Sequence, residues 1–357
     1  MVASLVLVVA SCGGNSGSGD VAVERGEASE QRDVVAAFYP LVFVAEQVGG
    51  EHVTVRDLTP PGADSHDLEL SPRDVVMLQE ADLIVYLAGF AAALDQAIQP
   101  LASEQVFDVA SSARLNHEEG HDEEGHDEEG HDEEGHDEEG HDEEGHDEEH
   151  HDEEGHDDEH HDEEGHDEEH HDEEGHDEEH HEHGGIDPHF WLDPMRLADV
   201  ADATAVRFAE LDPDNAESFQ QNAASLRVQL EDLDDDFQQG LADCARVDLV
   251  TAHRSFGYLA NRYGLNQVGI AGLSPDQEPS AGRLAVVADF VQDNQVGVIY
   301  YESLVDPGVT QAVANETGAA TDVLDPLETL SETADGDDYF QVMRSNLAAL
   351  RSGLECA

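Results

Sequence analysis

The residues best suited to chemistry in this chain are four isolated histidines: His52, His66, His189 and His253. His66 lies in the loop Pro60-Pro-Gly-Ala-Asp-Ser-His-Asp, behind an apolar run at Val53–Leu58. His189 lies in Asp187-Pro-His-Phe-Trp-Leu-Asp-Pro194. His253 ends the run Leu249–Ala252, just before a helical pattern. His66 and His253 thus follow the carboxyl ends of strand candidates, where open α/β sheets place their ligands. His52 precedes a strand, beside Gly50 and Glu51, and is expected on the surface. Three neutral imidazoles and one carboxylate make a tetrahedral set that suits Zn2+. The carboxylates at matching strand ends are Glu302, after Gly297–Tyr301, and Asp325, after Thr321–Leu324.

The other histidines crowd into one segment. Of 23 in the chain, 23 − 4 = 19 fall between His117 and His183, in a repeat that reads HDEEG. Five residues advance a helix by about 500°, so successive histidines share no face. The recurring Gly weakens a helix further, and no apolar residue occurs between His117 and His183. The segment is expected to be disordered and to collect Zn2+ loosely through residues such as His117, His121, His126, His181 and His183. His117-Glu-Glu-Gly-His121 matches the H-E-x-x-H pattern of zinc hydrolases, but that pattern needs a stable helix, and this repeat generates such matches by chance.

Charge narrows the partners. The formal net charge is −72, with 86 acids and 14 bases. The repeat holds 39 acids, which leaves 86 − 39 = 47 acids against 14 bases, or −33, for the remainder. Such a field attracts cations and argues against nucleic acid as a partner. All basic residues are Arg, so a Walker A lysine, a Schiff-base lysine and a Ser-Lys dyad are excluded. G-x-S-x-G is absent too. The rival class, a metal hydrolase on the same histidines, would need a general base, and Glu302 is the obvious candidate.

The first twelve residues form a short apolar run ending in Val9-Ala-Ser-Cys12. It is too short to span a bilayer. It resembles the end of a lipoprotein signal peptide, with Cys12 as the lipidated residue, although a basic region ahead of it is missing. Residues 13–32 are rich in Gly, Ser and charge, as a flexible tether would be. In an exported protein the other two cysteines, Cys244 and Cys356, would pair.

These residues must be positioned by a scaffold, and the pattern for one is present. In the first half, strand candidates are Val34–Phe38, Val53–Leu58, Leu83–Leu87 and Val106–Val109. In the second half they are Leu249–Ala252, Gln267–Ala271, Gly297–Tyr301 and Thr321–Leu324. Helical stretches at 41–48, 71–79, 91–98, 255–263, 280–293 and 307–317 separate them. Strand–helix alternation occurring twice predicts an α/β protein of two lobes, each with a mostly parallel sheet flanked by helices. Phe219, Leu226, Leu230, Leu233 and Phe237 recur at helical spacing within residues 213–241, which predicts one long linking helix.

Five ordered segments carry a family resemblance. They are Gly62-Ala-Asp-Ser-His66-Asp-Leu-Glu-Leu-Ser-Pro72, Asp187-Pro-His189-Phe-Trp-Leu-Asp-Pro194, Thr251-Ala-His253-Arg-Ser-Phe-Gly-Tyr258 and Leu324-Asp325-Pro-Leu327, together with Gly272-Leu-Ser-Pro-Asp-Gln-Glu-Pro-Ser280. The chain resembles the zinc/manganese substrate-binding proteins of ABC transporters, the ZnuA-like or TroA-like group, from about Asp33 to Cys356. A His- and acid-rich insertion before the D-P-H-x-W motif is typical of zinc-specific members.

The resemblance implies two lobes joined by a rigid helix, with a metal held in the cleft by His66 and His189 from the first lobe and His253 and Asp325 from the second. Glu302 or Asp187 would serve as an alternative fourth ligand or as an acceptor behind a ligand, since a metal-bound His passes its other N–H to an acceptor. The implied organisation is a signal segment at 1–12, a tether at 13–32, a first lobe at 33–212 with the insertion at 116–184, a linking helix at 213–241 and a second lobe at 242–357. The implied function is capture of Zn2+ outside the cytoplasm by a lipid-anchored, monomeric protein that delivers it to an ABC permease. A manganese or iron carrier on the same fold and an exported zinc buffer are the alternatives. His253 favours zinc, because manganese-type members replace that histidine with a carboxylate.

Overall fold

The computed structural model describes residues 31–115 and 186–357, apart from 61, 64, 276, 303–305 and 331–333. Cys12, the tether up to residue 30, and the repeat with its expected disorder and its histidines lie outside the described residues.

The first lobe contains β1 (Arg32–Ala36), α1 (Tyr39–Gly49), β2 (Val53–Asp57), α2 (Pro72–Glu80), β3 (Leu83–Tyr86), α3 (Ala92–Ile98), β4 (Val106–Asp108) and α4 (Ala110–Ala113). Next come α5 (Pro194–Leu211) and α6 (Ala216–Leu241). The second lobe contains β5 (Asp248–Thr251), α7 (Gly257–Tyr263), β6 (Asn266–Gly269), α8 (Ala281–Asp293), β7 (Val298–Tyr301), α9 (Gly308–Thr317), β8 (Ala320–Val323) and α10 (Tyr339–Gly353). Each lobe has a four-stranded sheet, in the orders β2-β1-β3-β4 and β6-β5-β7-β8, and every pairing is parallel. All eight strands fall where the apolar runs place them.

The central strands are buried because helices cover them. Val34, Val35 and Ala36 of β1 and Leu83, Ile84 and Val85 of β3 are fully buried. Continuous apolar runs of this kind are what parallel sheets require. α2 starts at Ser71, which accepts from the Asp74 N–H while Asp74 accepts from the Ser71 N–H, a reciprocal capping box.

α6 joins the lobes. It packs on α1 and α5 from the first lobe and on α7 and α10 from the second. Its Phe219, Leu226, Leu230, Leu233 and Phe237 are all buried, as their spacing predicts. At 26 residues it spans about 39 Å. It begins at Ala216 because Pro213–Asn215 form a 3-10 turn. Three helices were not visible in the sequence pattern: α4, which has only four residues, α5 and α10. α5 buries Leu197, Val200 and Phe208 together with the small residues Ala198, Ala201, Thr204 and Ala205. The stripe of α10 is interrupted by the buried Asn346.

Cys244 and Cys356 form a disulfide that ties the chain just after α6 to the chain just after α10. With a sequence separation of 112, the chain-entropy account gives roughly 4–5 kcal/mol of stabilisation.

Candidate metal centre

Four side chains converge between the lobes: His66, His189, His253 and Glu328. One donor atom from each lies within 4.8 Å of all the others. His66 sits in the loop after β2, His189 opens a 3-10 turn at Phe190–Leu192, His253 follows β5, and Glu328 follows β8. His189, His253 and Glu328 are buried.

The three imidazoles meet at one oxygen. Glu328 Oε1 is 3.4 Å from His66 Nε2, 3.2 Å from His189 Nε2 and 3.4 Å from His253 Nε2. A tetrahedron with metal–ligand bonds of about 2.0 Å has edges of about 3.3 Å. The three contacts of Glu328 Oε1 therefore match the edge length of a four-coordinate zinc shell.

Each lobe orients its histidine from behind. Asp187 Oδ1 accepts from the His189 backbone N–H at 2.9 Å and lies 2.8 Å from His189 Nδ1. Glu302, at the end of β7, bonds His253 Nδ1. With Nδ1 occupied on both rings, Nε2 is the nitrogen turned to the centre. The His253 carbonyl is held in turn by the Thr251 hydroxyl at 2.6 Å and by Gln267 Nε2 at 3.3 Å.

Glu328 is placed by a braced turn. Asp325 N donates to Asn346 Oδ1 at 2.9 Å, and Asn346 Nδ2 returns a bond to the Asp325 carbonyl at 2.7 Å. Asp325 Oδ1 accepts from Leu327 N at 2.8 Å. Leu327 adopts φ 58°, a left-handed conformation unusual for a branched side chain, and its full burial holds it there. From the first lobe, Trp191 Nε1 donates to the Pro326 carbonyl at 2.7 Å and Tyr39 N to the Glu328 carbonyl at 3.4 Å. This changes the expectation for the fourth donor. Asp325 is outside the converging group and shapes the turn, while Glu328, three residues on, points at the histidines. Glu302 and Asp187 stand behind histidines rather than among the converging donors. His52 packs edge-on against Phe219, away from this group.

The electrostatics fit a cation site. Burial alone would raise the Glu328 pKa, yet hydrogen bonds from His189, His253 and His66 hold it well below the usual carboxylate range. Burial would lower His253, but the charge and hydrogen bond of Glu302, with help from Glu328, push it up to about 10. His189 is likewise raised, against its burial, by Asp187 and Glu328. Both shifts favour the protonated forms of His189 and His253 in the metal-free protein.

Comparison with known proteins resolves the family. The model for the periplasmic zinc-uptake complex component A, ZnuA, matches residues 34–353. The chain is 33% identical to the high-affinity zinc uptake system protein ZnuA of Bacillus subtilis, over 99% of this chain and 96% of that protein. This chain belongs to the ZnuA family. It is 32% identical to the zinc-binding lipoprotein AdcA of Streptococcus pneumoniae over 91% of its length, and it spans about half, 56%, of that longer protein. Among solved structures it is similar to the Zn(II)-bound ZnuA-like domain of S. pneumoniae AdcA, with a TM-score of 0.64, 28% identity and coverage of 91% of this chain and 99% of that one. It is also similar to the laminin-binding protein Lmb of Streptococcus agalactiae, described as an adhesin with metal-transporting activity, at a TM-score of 0.67, 26% identity and coverage of 90% and 99%. A ZnuA-family protein is the substrate-binding component of zinc transport, not an enzyme. The hydrolase alternative falls with that assignment, and Glu302, its candidate base, is engaged with His253. Among the described residues, no helix is long and apolar enough to cross a membrane.

Proposed function

We propose that this chain captures Zn2+ outside the cytoplasm, between its two lobes, on the Nε2 atoms of His66, His189 and His253 and one oxygen of Glu328, and delivers it to an ABC permease. The observation that carries this reading is the approach of all three Nε2 atoms to one carboxylate oxygen at 3.2–3.4 Å. Three nitrogens and one hard oxygen suit zinc better than manganese, which prefers more oxygen donors and six-coordination. The second lobe's contribution of a histidine at position 253 supports the same choice.

Release to the permease follows from the site's construction. Donors come from both lobes, so separating the lobes splits the shell into His66 and His189 on one side and His253 and Glu328 on the other. Protons then compete for the parted imidazoles, which favours release of the metal. The repeat at 117–183 serves as a weaker collecting segment, on the grounds of its imidazole and carboxylate content alone. Cys12 is the proposed lipid attachment point, and the chain acts as a monomer.

Competitive titration of Zn2+ against Mn2+ tests the proposal. The full chain, a variant lacking residues 117–183 and the same deletion with His253→Ala would be compared. One tight zinc site should survive the deletion and disappear with His253→Ala. Absence of a tight site in the deleted form would make the repeat the binding element and the protein a zinc buffer.

A further inference from the structure

The two oxygens of Glu328 have different neighbours. Oε1 faces the three imidazole nitrogens at 3.2–3.4 Å. Oε2 accepts from the hydroxyl of Ser65, on the other lobe, at 3.4 Å. Ser65 is 1% exposed, and water has little access to its hydroxyl. Its place in the chain, directly before His66, fixes it to the same loop as a metal donor.

Carboxylate denticity decides coordination number. A glutamate that gives one oxygen completes a four-coordinate shell with three imidazoles. The same glutamate giving both oxygens makes the shell five-coordinate and more oxygen-rich. Zinc accepts four ligands in a tetrahedron, whereas Mn2+ is served by more oxygens and an octahedral arrangement. A hydrogen bond to one carboxylate oxygen favours the orientation in which the other is the donor, and bonds to charged acceptors are stronger than neutral ones. We propose that Ser65 is a specificity-determining residue: by holding Glu328 Oε2 it keeps the carboxylate monodentate and the shell four-coordinate, and so biases the site toward Zn2+ over Mn2+. This rests on the His3Glu site proposed above.

The same bond crosses the cleft. Ser65 belongs to the first lobe and Glu328 to the second, so the device operates only when the lobes are together. Gly62 N donates to the Thr329 hydroxyl at 3.3 Å, a second link between the same two loops that keeps them in register.

Ser65→Ala removes the hydroxyl and little else. Cobalt(II) reports coordination number directly, because four-coordinate cobalt absorbs visible light far more strongly than five- or six-coordinate cobalt. One equivalent of Co2+ would be added to the full-length protein and to the full-length Ser65→Ala variant, with full-length His253→Ala as the reference for cobalt held elsewhere. The native difference spectrum should be intense, and that of Ser65→Ala about threefold weaker per bound cobalt, as expected for an added oxygen donor. Competition should show the zinc-over-manganese preference reduced about tenfold, the lower end of what a hydrogen bond to a charged group contributes. An unchanged spectrum and preference in Ser65→Ala would overturn the role of Ser65 while leaving the metal site standing. Loss of cobalt binding in Ser65→Ala would also overturn it, since freeing an oxygen should add a donor. A weak spectrum in the native protein itself would overturn the four-coordinate site, and the Ser65 role with it.

Discussion

The two lobes have one topology and two chemistries. In both sheets the strand order reverses at the centre, between β1 and β3 in the first lobe and between β5 and β7 in the second. That point is where open α/β sheets bind ligands. In the second lobe it is filled by ions: His253 leaves β5, Glu302 leaves β7, and the two bond each other. In the first lobe it is filled by rings. Phe38 follows β1, Phe90 follows β3, and their centroids are 4.7 Å apart. Phe90 packs at 4.6 Å from the His66 ring, and Trp191 at 5.3 Å from the His189 ring. The first lobe therefore holds His66 against an aromatic wall, and the second holds His253 by charge. A shared sheet supplies the address, and the residues leaving the strands decide what is built there.

The sharpest break in this comparison comes from the fourth donor. Glu328→Ala should lower zinc affinity about a thousandfold, since it removes a charged donor and leaves three imidazoles, two of them fully buried, facing each other. Asp325→Asn should cost about tenfold, because in the proposed site Asp325 braces the turn that carries Glu328. Competition titration of both variants ranks them. The reverse ranking would restore Asp325 as the donor.

Next comes the backing of the histidines. Glu302→Gln keeps a hydrogen-bond acceptor for His253 Nδ1 but removes the charge, and should weaken zinc binding by about 10–100-fold. Phe90→Leu in the first lobe should leave affinity within a few-fold and lower unfolding stability by about 1–2 kcal/mol. Titration and denaturant melts together separate the two modes. Equal affinity losses would mean the lobes hold their histidines in the same way.

The smallest effect is on pH. His253 has a folded pKa of about 10, above its unfolded value, because Glu302 and Glu328 favour its charged form despite burial. In the metal-free protein this interaction stabilises the fold fully below about pH 6.5, and the stabilisation fades as pH rises through about 10. Zinc needs the neutral ring, so its affinity should rise with pH across that window, and binding at pH 7 should release protons. Calorimetry in buffers of different ionisation enthalpy counts them. No proton release at pH 7 would mean that the cluster is neutral before metal arrives.

Much of this was legible in the sequence, for identifiable reasons. The central strands announced themselves because parallel strands buried on both faces are continuous apolar runs such as Val34-Val35-Ala36, whereas the edge strands β2, β6 and β8 are partly exposed. His66, His189 and His253 stood out because few histidines lie outside the repeat, and two of them follow strands. Glu328 did not stand out. The rule that ligands sit at strand ends led to Asp325, the first carboxylate after β8. What overrides it is the turn itself: Asp325 spends Oδ1 on Leu327 N, Leu327 turns left-handed, and the next residue is the one aimed inward. Long-range bonds from Trp191, Tyr39 and Asn346 brace that turn, and none of them leaves a local pattern.

The four-donor shell can be tested on the native protein, before any substitution is made. X-ray absorption at the zinc edge, on the full-length protein loaded with one equivalent of Zn2+, reads that shell directly. Three imidazole nitrogens and one carboxylate oxygen at about 2.0 Å, with the oxygen lost in Glu328→Ala, are the predicted result. A shell of five or six light atoms with fewer than three imidazoles, unchanged by Glu328→Ala, would contradict it.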